Sequence, residues 1–441
     1  MRNRKAFRVP SKRTELEIAD LKPPYLEGEA LAEAARCLYC HDAPCTKACP
    51  TEIDVAGFVR KVSTGNLKGA AKTIFQANAF GYSCARVCPV EVLCEGACVL
   101  SLQYKPPVSI GRLQRHATEP FLGEDIMGKA SPKKTGRKVA CIGAGPASIT
   151  CAVRLVRVGH EVVIFEKRKI PGGLNTWGIA PYKLYADEAL IEAEWLLSLG
   201  IELKTGVEVG KDVSIQSLLE KYDAIFLGGG LGQDSFLGIP GEKGPGVFGA
   251  IELIERMKTG SSLKLDGVES AAVIGGGNTA IDIARELRYL GLTDVSILYR
   301  RTEMEMPGYA HELSAARSAG VRFYEKTVPL RVLRDGEKVT GLVVARAEKA
   351  RAVEGTERDF PTQMVVLAIG QAGERELLSR LLGVELDSDG CVIVDEATGR
   401  TGNPKIFAGG DCVNGGKEVV NAVAEGNRAA AVIDEMLRGG K

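Results

Sequence analysis

The sequence predicts an α/β protein: an α-helical, cysteine-rich N-terminal domain followed by two Rossmann-like domains on parallel sheets. Three observations carry this prediction. Most of the 12 cysteines fall between Cys37 and Cys98, among short amphipathic segments. From Lys138, KVACIGAGPASITCAVRLVRVGHEVVIFEK reads as strand, glycine turn, helix and strand. From Glu269, ESAAVIGGGNTAIDIARELRYLGLTDVSILYRR repeats that design, and two βαβ units in one chain imply two nucleotide-binding domains. The expected divisions are 1–130 for the helical domain, 131–242 with 385–441 for the first Rossmann-like domain, and 243–384 for the second.

Bulk properties narrow the function classes. The chain has 441 residues, 45% of them hydrophobic and 26% charged, as in an ordinary globular protein of several domains. A formal net charge of +1 leaves no electrostatic footprint for nucleic acid. No apolar run approaches the ~18 residues of a membrane span. The basic stretch Met1–Arg13 lacks the apolar core of a secretory signal and reads as a solvated arm that touches a partner. A cytoplasmic, reducing location follows, in which the cysteines are thiols and not disulfides.

In chain order, EGEALAEAARC is a helix that delivers Cys37. Val55, Phe58, Val59 and Val62 fit one helix face, and Leu67, Ala70, Ala71, Ile74 and Phe75 another. The cysteines therefore sit on connections between short helices. Their spacing is Cys37-x2-Cys40-x4-Cys45-x3-Cys49-Pro50, then Cys84-x3-Cys88-Pro89-x4-Cys94-x3-Cys98. Soft thiolates at such spacings suit iron–sulfur or zinc, and the Cys-Pro endings favour iron–sulfur. Eight thiolates suffice for two four-thiolate sites, but spacing does not fix the allocation. A polar stretch, GKASPKKTGRK (128–138), reads as a linker.

The first glycine turn is Gly143-Ala144-Gly145-Pro146-Ala147-Ser148. Its glycines let backbone approach a pyrophosphate at a helix N-terminus, and Glu166 at the end of the next strand suits a ribose hydroxyl. Ser148 replaces the usual small third position and is still compatible with close helix packing. IFAGGDC (406–412), with Gly410 and Asp411, is a strand and turn before a long C-terminal helix starting near Glu418 and Val419. The second turn is Gly275-Gly276-Gly277-Asn278-Thr279-Ala280. Arg300 and Arg301 stand where the first unit has Glu166. Basic residues there accommodate the 2′-phosphate of NADP, so the preference leans to NADPH over NADH; a solvated turn is the alternative.

Residues 37–114, CLYCHDAPCTKACPTEID … GYSCARVCPVEVLCEGACVL … IGRLQ, resemble the N-terminal domain of dihydropyrimidine dehydrogenases and, more loosely, the glutamate synthase small subunit. The resemblance implies two [4Fe–4S] clusters. Cys37, Cys40, Cys45 and Cys98 would hold one. Cys49, Cys88, Cys94 and Gln114 would hold the other, with Cys84 left over. PGGLNTWGIAPYKL (171–184) resembles the flavin-contacting loop of the same family, with Gly173, Leu174 and Lys183 at positions that contact FAD. The family often has Arg at Lys183, so the charge is kept and a bidentate contact is not. Asp411 would accept hydrogen bonds from the ribityl chain, and the helix at Val419 would aim its N-terminus at the flavin ring.

The resemblance spans essentially the whole chain but only the flavin half of dihydropyrimidine dehydrogenase. It implies an electron-input subunit in which NAD(P)H reduces FAD and electrons leave through the clusters to an FMN/Fe–S catalytic partner that reduces uracil or thymine. The glutamate synthase small subunit and a stand-alone NAD(P)H:ferredoxin oxidoreductase are the alternatives. The run DAPCTKACPTEID and Gln114 favour the first, because the glutamate synthase subunit tends to carry Glu at the latter position. No side chain is expected to be catalytic in its own right, since the cofactors carry the chemistry. No Cys-x-x-Cys lies beyond the N-terminal domain, so a flavin here would have no redox disulfide to reduce. Cys141 and Cys151 are expected to pack in cores.

Overall fold

The computed structural model describes residues 7–439 except 125, 129–132, 261, 262, 264, 374 and 380. The polar stretch read as a linker thus lies partly outside the described residues. The N-terminal region is helical: α1 (Glu27–Ala34), α2 (Pro44–Lys47), α3 (Val55–Ser63), α4 (Leu67–Ala77), α5 (Gly81–Val87) and α6 (Ile110–Thr118). Asp54 and Asn66 cap α3 and α4 by accepting from Gly57 N and Gly69 N, each at 2.9 Å. The apolar spacing read from sequence becomes real faces: Phe58, Val59, Ile74 and Phe75 are fully buried. Cys45 lies inside α2 and Cys84 inside α5, so not every cysteine is on a connection.

A five-stranded parallel sheet follows, ordered β14-β4-β1-β2-β3. Its elements are β1 (Lys138–Ile142), α7 (Pro146–Arg157), β2 (Glu161–Glu166), α8 (Leu174–Trp177), α9 (Ala186–Leu197), β3 (Glu202–Thr205), α10 (Ile215–Lys221) and β4 (Ala224–Leu227). A second parallel sheet, ordered β5-β13-β6-β7-β8, is built from β5 (Val247–Gly249), α11 (Ala250–Thr259), β6 (Ser270–Ile274), α12 (Asn278–Tyr289), β7 (Asp294–Leu298), α13 (Ala310–Ser318) and β8 (Arg322–Tyr324). Between β8 and β13 the chain makes an antiparallel sheet of β9 (Thr327–Asp335), β10 (Lys338–Glu348), β11 (Arg351–Ala352) and β12 (Arg358–Pro361). Sequence analysis missed this sheet. Its signal was the alternating TVPLRVLRDGEKVTGLVVARAE with Asp335-Gly336 at the turn, where Gly336 has φ +58°. Then come β13 (Met364–Leu367), α14 (Arg375–Leu378), β14 (Ile406–Ala408), α15 (Asp411–Asn414) and α16 (Val419–Leu437). β14 joins the first sheet beside β4, Ile406 opposite Ile225, and α16 packs along α7. Cys141 and Cys151 are buried in that core, their thiols in contact. Among the described residues no helix is long and apolar enough to cross a membrane.

The basic arm ends in a strap: Arg8, Pro10, Ser11 and Lys12 are exposed, whereas Arg13 and the stretch after it pack onto the sheet domains. Arg13 is buried and donates to Glu15 at 2.6 Å; Glu15 is wholly buried and accepts from Ala186 N at 3.2 Å. Ile18 packs against Ala180 and Tyr182, and Asp20 pairs with Arg115 at 2.6 Å and Arg86 at 3.2 Å. The partners of Glu15 and Asp20 lie far along the chain, so the strap has no local signal.

Candidate cofactor site

The C-terminal ends of β1 and β4 open on a cavity of about 1100 Å³ between the two parallel sheets. Gly143, Ala144, Gly145, Pro146 and Ala147 line one wall, with Glu166 beside them. Gly173, Leu174 and Lys183 line it as well, as do Gly410, Asp411, Glu418 and Val419. From the second sheet come Asn278 and Thr279; Gly275, Gly276 and Gly277 lie just behind, and Arg300 and Arg301 are exposed on the turn after β7, away from the cavity.

The walls are shaped by glycine where a side chain would not fit. A Cβ at Gly143 (φ +89°) would stand 2.6 Å from the Gly228 carbonyl oxygen, and one at Gly173 (φ +58°) 2.8 Å from the Gly145 Cα. Two backbone turns thus face each other bare of side chains, as a pyrophosphate cradle requires. Glu166 is held by Ala144 N and Arg168 N, both at 2.7 Å. Burial, with Glu425 nearby, pushes the Asp411 carboxyl up to about 6. Buried polar atoms in the lining await a partner: both amide atoms of Asn175 and the Trp177 indole N–H have none. These two residues lie within the flavin-like loop yet escaped sequence analysis, which weighed glycines and charges. The donor set and the bare turns fit FAD.

Lys183 occupies the cavity wall, but its ammonium is taken up by Asp282 (2.8 Å) and Glu312 (2.9 Å) of the second sheet domain. Burial opposes its charge, and the two carboxylates outweigh that and hold the amine above its ordinary range. Tyr309 donates to Glu418 at 2.9 Å, a second bridge between the sheet domains. Asp282, Glu312 and Tyr309 carried no motif and were legible only once folded.

The cysteines fall into two groups. Cys37, Cys40, Cys45 and Cys98 ring one small apolar cavity with Leu38 and Val55. Burial pushes the Cys45 thiol up to about 11, with Cys37 adding to it. Cys88 is raised by its hydrogen bond with Cys84, by burial and by Cys94 and Cys49, so these four thiols are neighbours. Gln114 is buried on α6, and its amide donates to the Gly81 carbonyl at 2.7 Å, which leaves Oε1 as the free acceptor. Among the described residues no three such side chains are gathered tightly enough for a single ion. Thiols this desolvated lose their protons to a metal and not to water; the thiols of both groups, the first ringed by apolar side chains, fit iron–sulfur clusters. Val87 and Pro89, which flank Cys88, line the large cavity, so the second group borders it.

Fold and site together define an NAD(P)H-dependent oxidoreductase that carries FAD and 4Fe–4S clusters. The chain belongs to the pyridine nucleotide-disulphide oxidoreductase family, whose profile matches residues 137–426; that of dihydropyrimidine dehydrogenase domain II, 4Fe-4S cluster, matches 14–126. The glutamate synthase [NADPH] small chain of Escherichia coli K12 is 36% identical over 450 residues, covering 96% of this chain and 94% of that protein. The NAD-dependent dihydropyrimidine dehydrogenase subunit PreT of Salmonella typhimurium is 35% identical over 420 residues, covering 95% and 97%. Among solved structures, the T. acidophilum thioredoxin reductase is similar, with TM-score 0.56 and 21% identity over 68% of this chain and 99% of that one. FprA of Mycobacterium tuberculosis, in complex with NADPH, gives TM-score 0.55 and 21% identity over 68% and 84%. Both likenesses show the fold. Among the described residues none of the twelve cysteines is in a disulfide, and none beyond the N-terminal region forms a Cys-x-x-Cys.

Proposed function

We propose that this chain is the cytoplasmic electron-input subunit of a two-chain enzyme and that its partner is an FMN/Fe–S catalytic subunit that reduces uracil or thymine. When bound, FAD accepts a hydride from NAD(P)H and the clusters pass on single electrons. The chain's own residues bind, orient and shield. Gly143–Ala147, Gly173 and Leu174 hold the FAD backbone, Glu166 its ribose, and Asp411 its ribityl chain, while Glu418 and Val419 present the N-terminus of α16. Lys183 closes the wall from beneath as a paired charge. Gly275–Thr279 take the nicotinamide dinucleotide, with Arg300 and Arg301 on its 2′-phosphate. Cys37, Cys40, Cys45 and Cys98 hold one cluster; Cys49, Cys88, Cys94 and Gln114 hold the other. The domains are 1–130, 131–242 with 385–441, and 243–384.

The observation that carries the pyrimidine reading is Gln114, an amide and not a carboxylate, buried and oriented by Gly81. The glutamate synthase reading is supported by the relative at 36% identity. Co-expression with a barrel-containing partner tests the choice: NAD(P)H-dependent thymine reduction by the pair supports the proposal, and glutamate formation from glutamine and 2-oxoglutarate defeats it. In the same complex Gln114→Ala should alter the EPR signal of one cluster and lower iron content. Spectra and iron identical to the unaltered protein would remove Gln114 from the ligand set.

A further inference from the structure

Glu192 is a carboxylate with no exposed surface, on α9 of the first sheet domain, and none of the roles above uses it. One oxygen accepts from Tyr82 N at 2.9 Å and the other from Ser83 N at 3.0 Å and from the Ser83 hydroxyl. These donors form the first turn of α5. One turn earlier on α9, Glu188 pairs with the buried Arg86 of α5 at 2.6 Å. Helix α5 contains Cys84, is followed directly by Cys88, and offers the Gly81 carbonyl that orients Gln114. An adjoining face of α9 supports the flavin-like loop: a Cβ at Gly172 would touch the Ala193 methyl at 3.9 Å, and α8, which begins at Leu174 in the cavity wall, packs on α9.

We infer that Glu192 is a positioning residue that fixes the cluster-bearing helix α5 against the flavin loop, through α9 as a shared strut. An apolar interface between two helices tolerates slip. A buried carboxylate held by three directional donors does not, because sliding by one atom strands either the charge or its donors. The arrangement sets where the Cys88 group stands relative to the cavity, and small misplacements are costly to rate.

This inference rests on the reading that electrons pass from the flavin cavity to the cluster at Cys49, Cys88, Cys94 and Gln114. The test is anaerobic mixing of the holoprotein with NADPH, following flavin bleaching by absorbance and cluster reduction by rapid-freeze EPR, in Glu192→Gln and the milder Ser83→Ala. Both variants should keep FAD and iron and bleach at the unaltered rate. Cluster reduction should slow about tenfold or more in Glu192→Gln and less in Ser83→Ala, with the EPR signal of one cluster shifted. Unaltered cluster reduction and EPR in Glu192→Gln would overturn the inference, as would parallel loss of both steps in proportion to lost iron. If NADPH bleached the flavin of the unaltered protein and no cluster ever became reduced, the electron-input reading itself would fail, and the inference with it.

Discussion

Lys183 and Asp282 form an ion pair across the two parallel-sheet domains, Nζ standing 2.8 and 3.0 Å from the carboxylate oxygens. Lys183 belongs to the flavin-like loop and Asp282 to α12 of the second domain. Glu312 shares the lysine, Arg285 pairs with Glu312, and Tyr182 donates to Asp282. A buried network of this kind fixes relative orientation, since any rotation of one domain unpairs several charges at once.

Removing one member should therefore be costly. Asp282→Ala is expected to lose about 1–3 kcal/mol in denaturant unfolding, less than a fully orphaned charge because Glu312 remains. A double-mutant cycle with Lys183→Met should return a coupling energy of about 1 kcal/mol or more. A coupling near zero would mean that the pair does nothing for stability.

Gly173 tests the cradle. Its φ of +58° suits glycine, and an added methyl would press on the Gly145 backbone. Gly173→Ala is expected to strain the loop by about 1–3 kcal/mol and to purify with little FAD but full iron. Stoichiometric flavin in this variant would count against the two facing turns as the pyrophosphate site.

Arg300 tests the nucleotide choice. Both arginines after β7 are exposed, free to meet a ligand phosphate. Loss of one charge-assisted contact is worth about 1.5–3 kcal/mol, so Arg300→Ala should raise KM for NADPH about tenfold or more and leave NADH unchanged. Equal loss with both would sink the phosphate role.

Lys258 sets a pH dependence. It is wholly buried and donates to the carbonyls of Ile179 at 2.7 Å and Leu184 at 2.8 Å. Burial lowers its amine from the ordinary 10.5 to about 8, against the pull of Glu15. Between these values the unfolded chain holds a proton that the folded chain has released, so stability rises with pH across that window. The rise amounts to at most about 3 kcal/mol. Lys258→Met should lack it in unfolding curves taken at pH 8 and pH 10; an unchanged slope would show that Lys258 does not titrate there.

Much of this protein was legible in short stretches of sequence. A glycine turn between an apolar strand and a helix is a local pattern, so the strand–turn–helix units at Gly143–Ala147 and Gly275–Thr279 announce themselves within a few residues. Helix faces such as Val55, Phe58, Val59 and Val62 follow from a 3.6-residue period. Thiol spacing likewise gave a metal-binding region. The hairpin at Asp335-Gly336 is local in the same sense, since its turn needs a positive φ that Gly336 supplies between alternating strands.

What folding alone decided lies between distant segments. Sequence could present Lys183 as a flavin-loop charge; only the packed domains give it Asp282 and Glu312 as partners. The stretch from Arg13 to Asp20 became a strap because Asp20 reaches Arg86 and Arg115, and Glu192 found the first turn of α5 more than a hundred residues earlier in the chain. Local backbone chemistry depends on neighbours in sequence, whereas the pairing of buried charges depends on which surfaces exclude water together, and that is settled only by the tertiary structure.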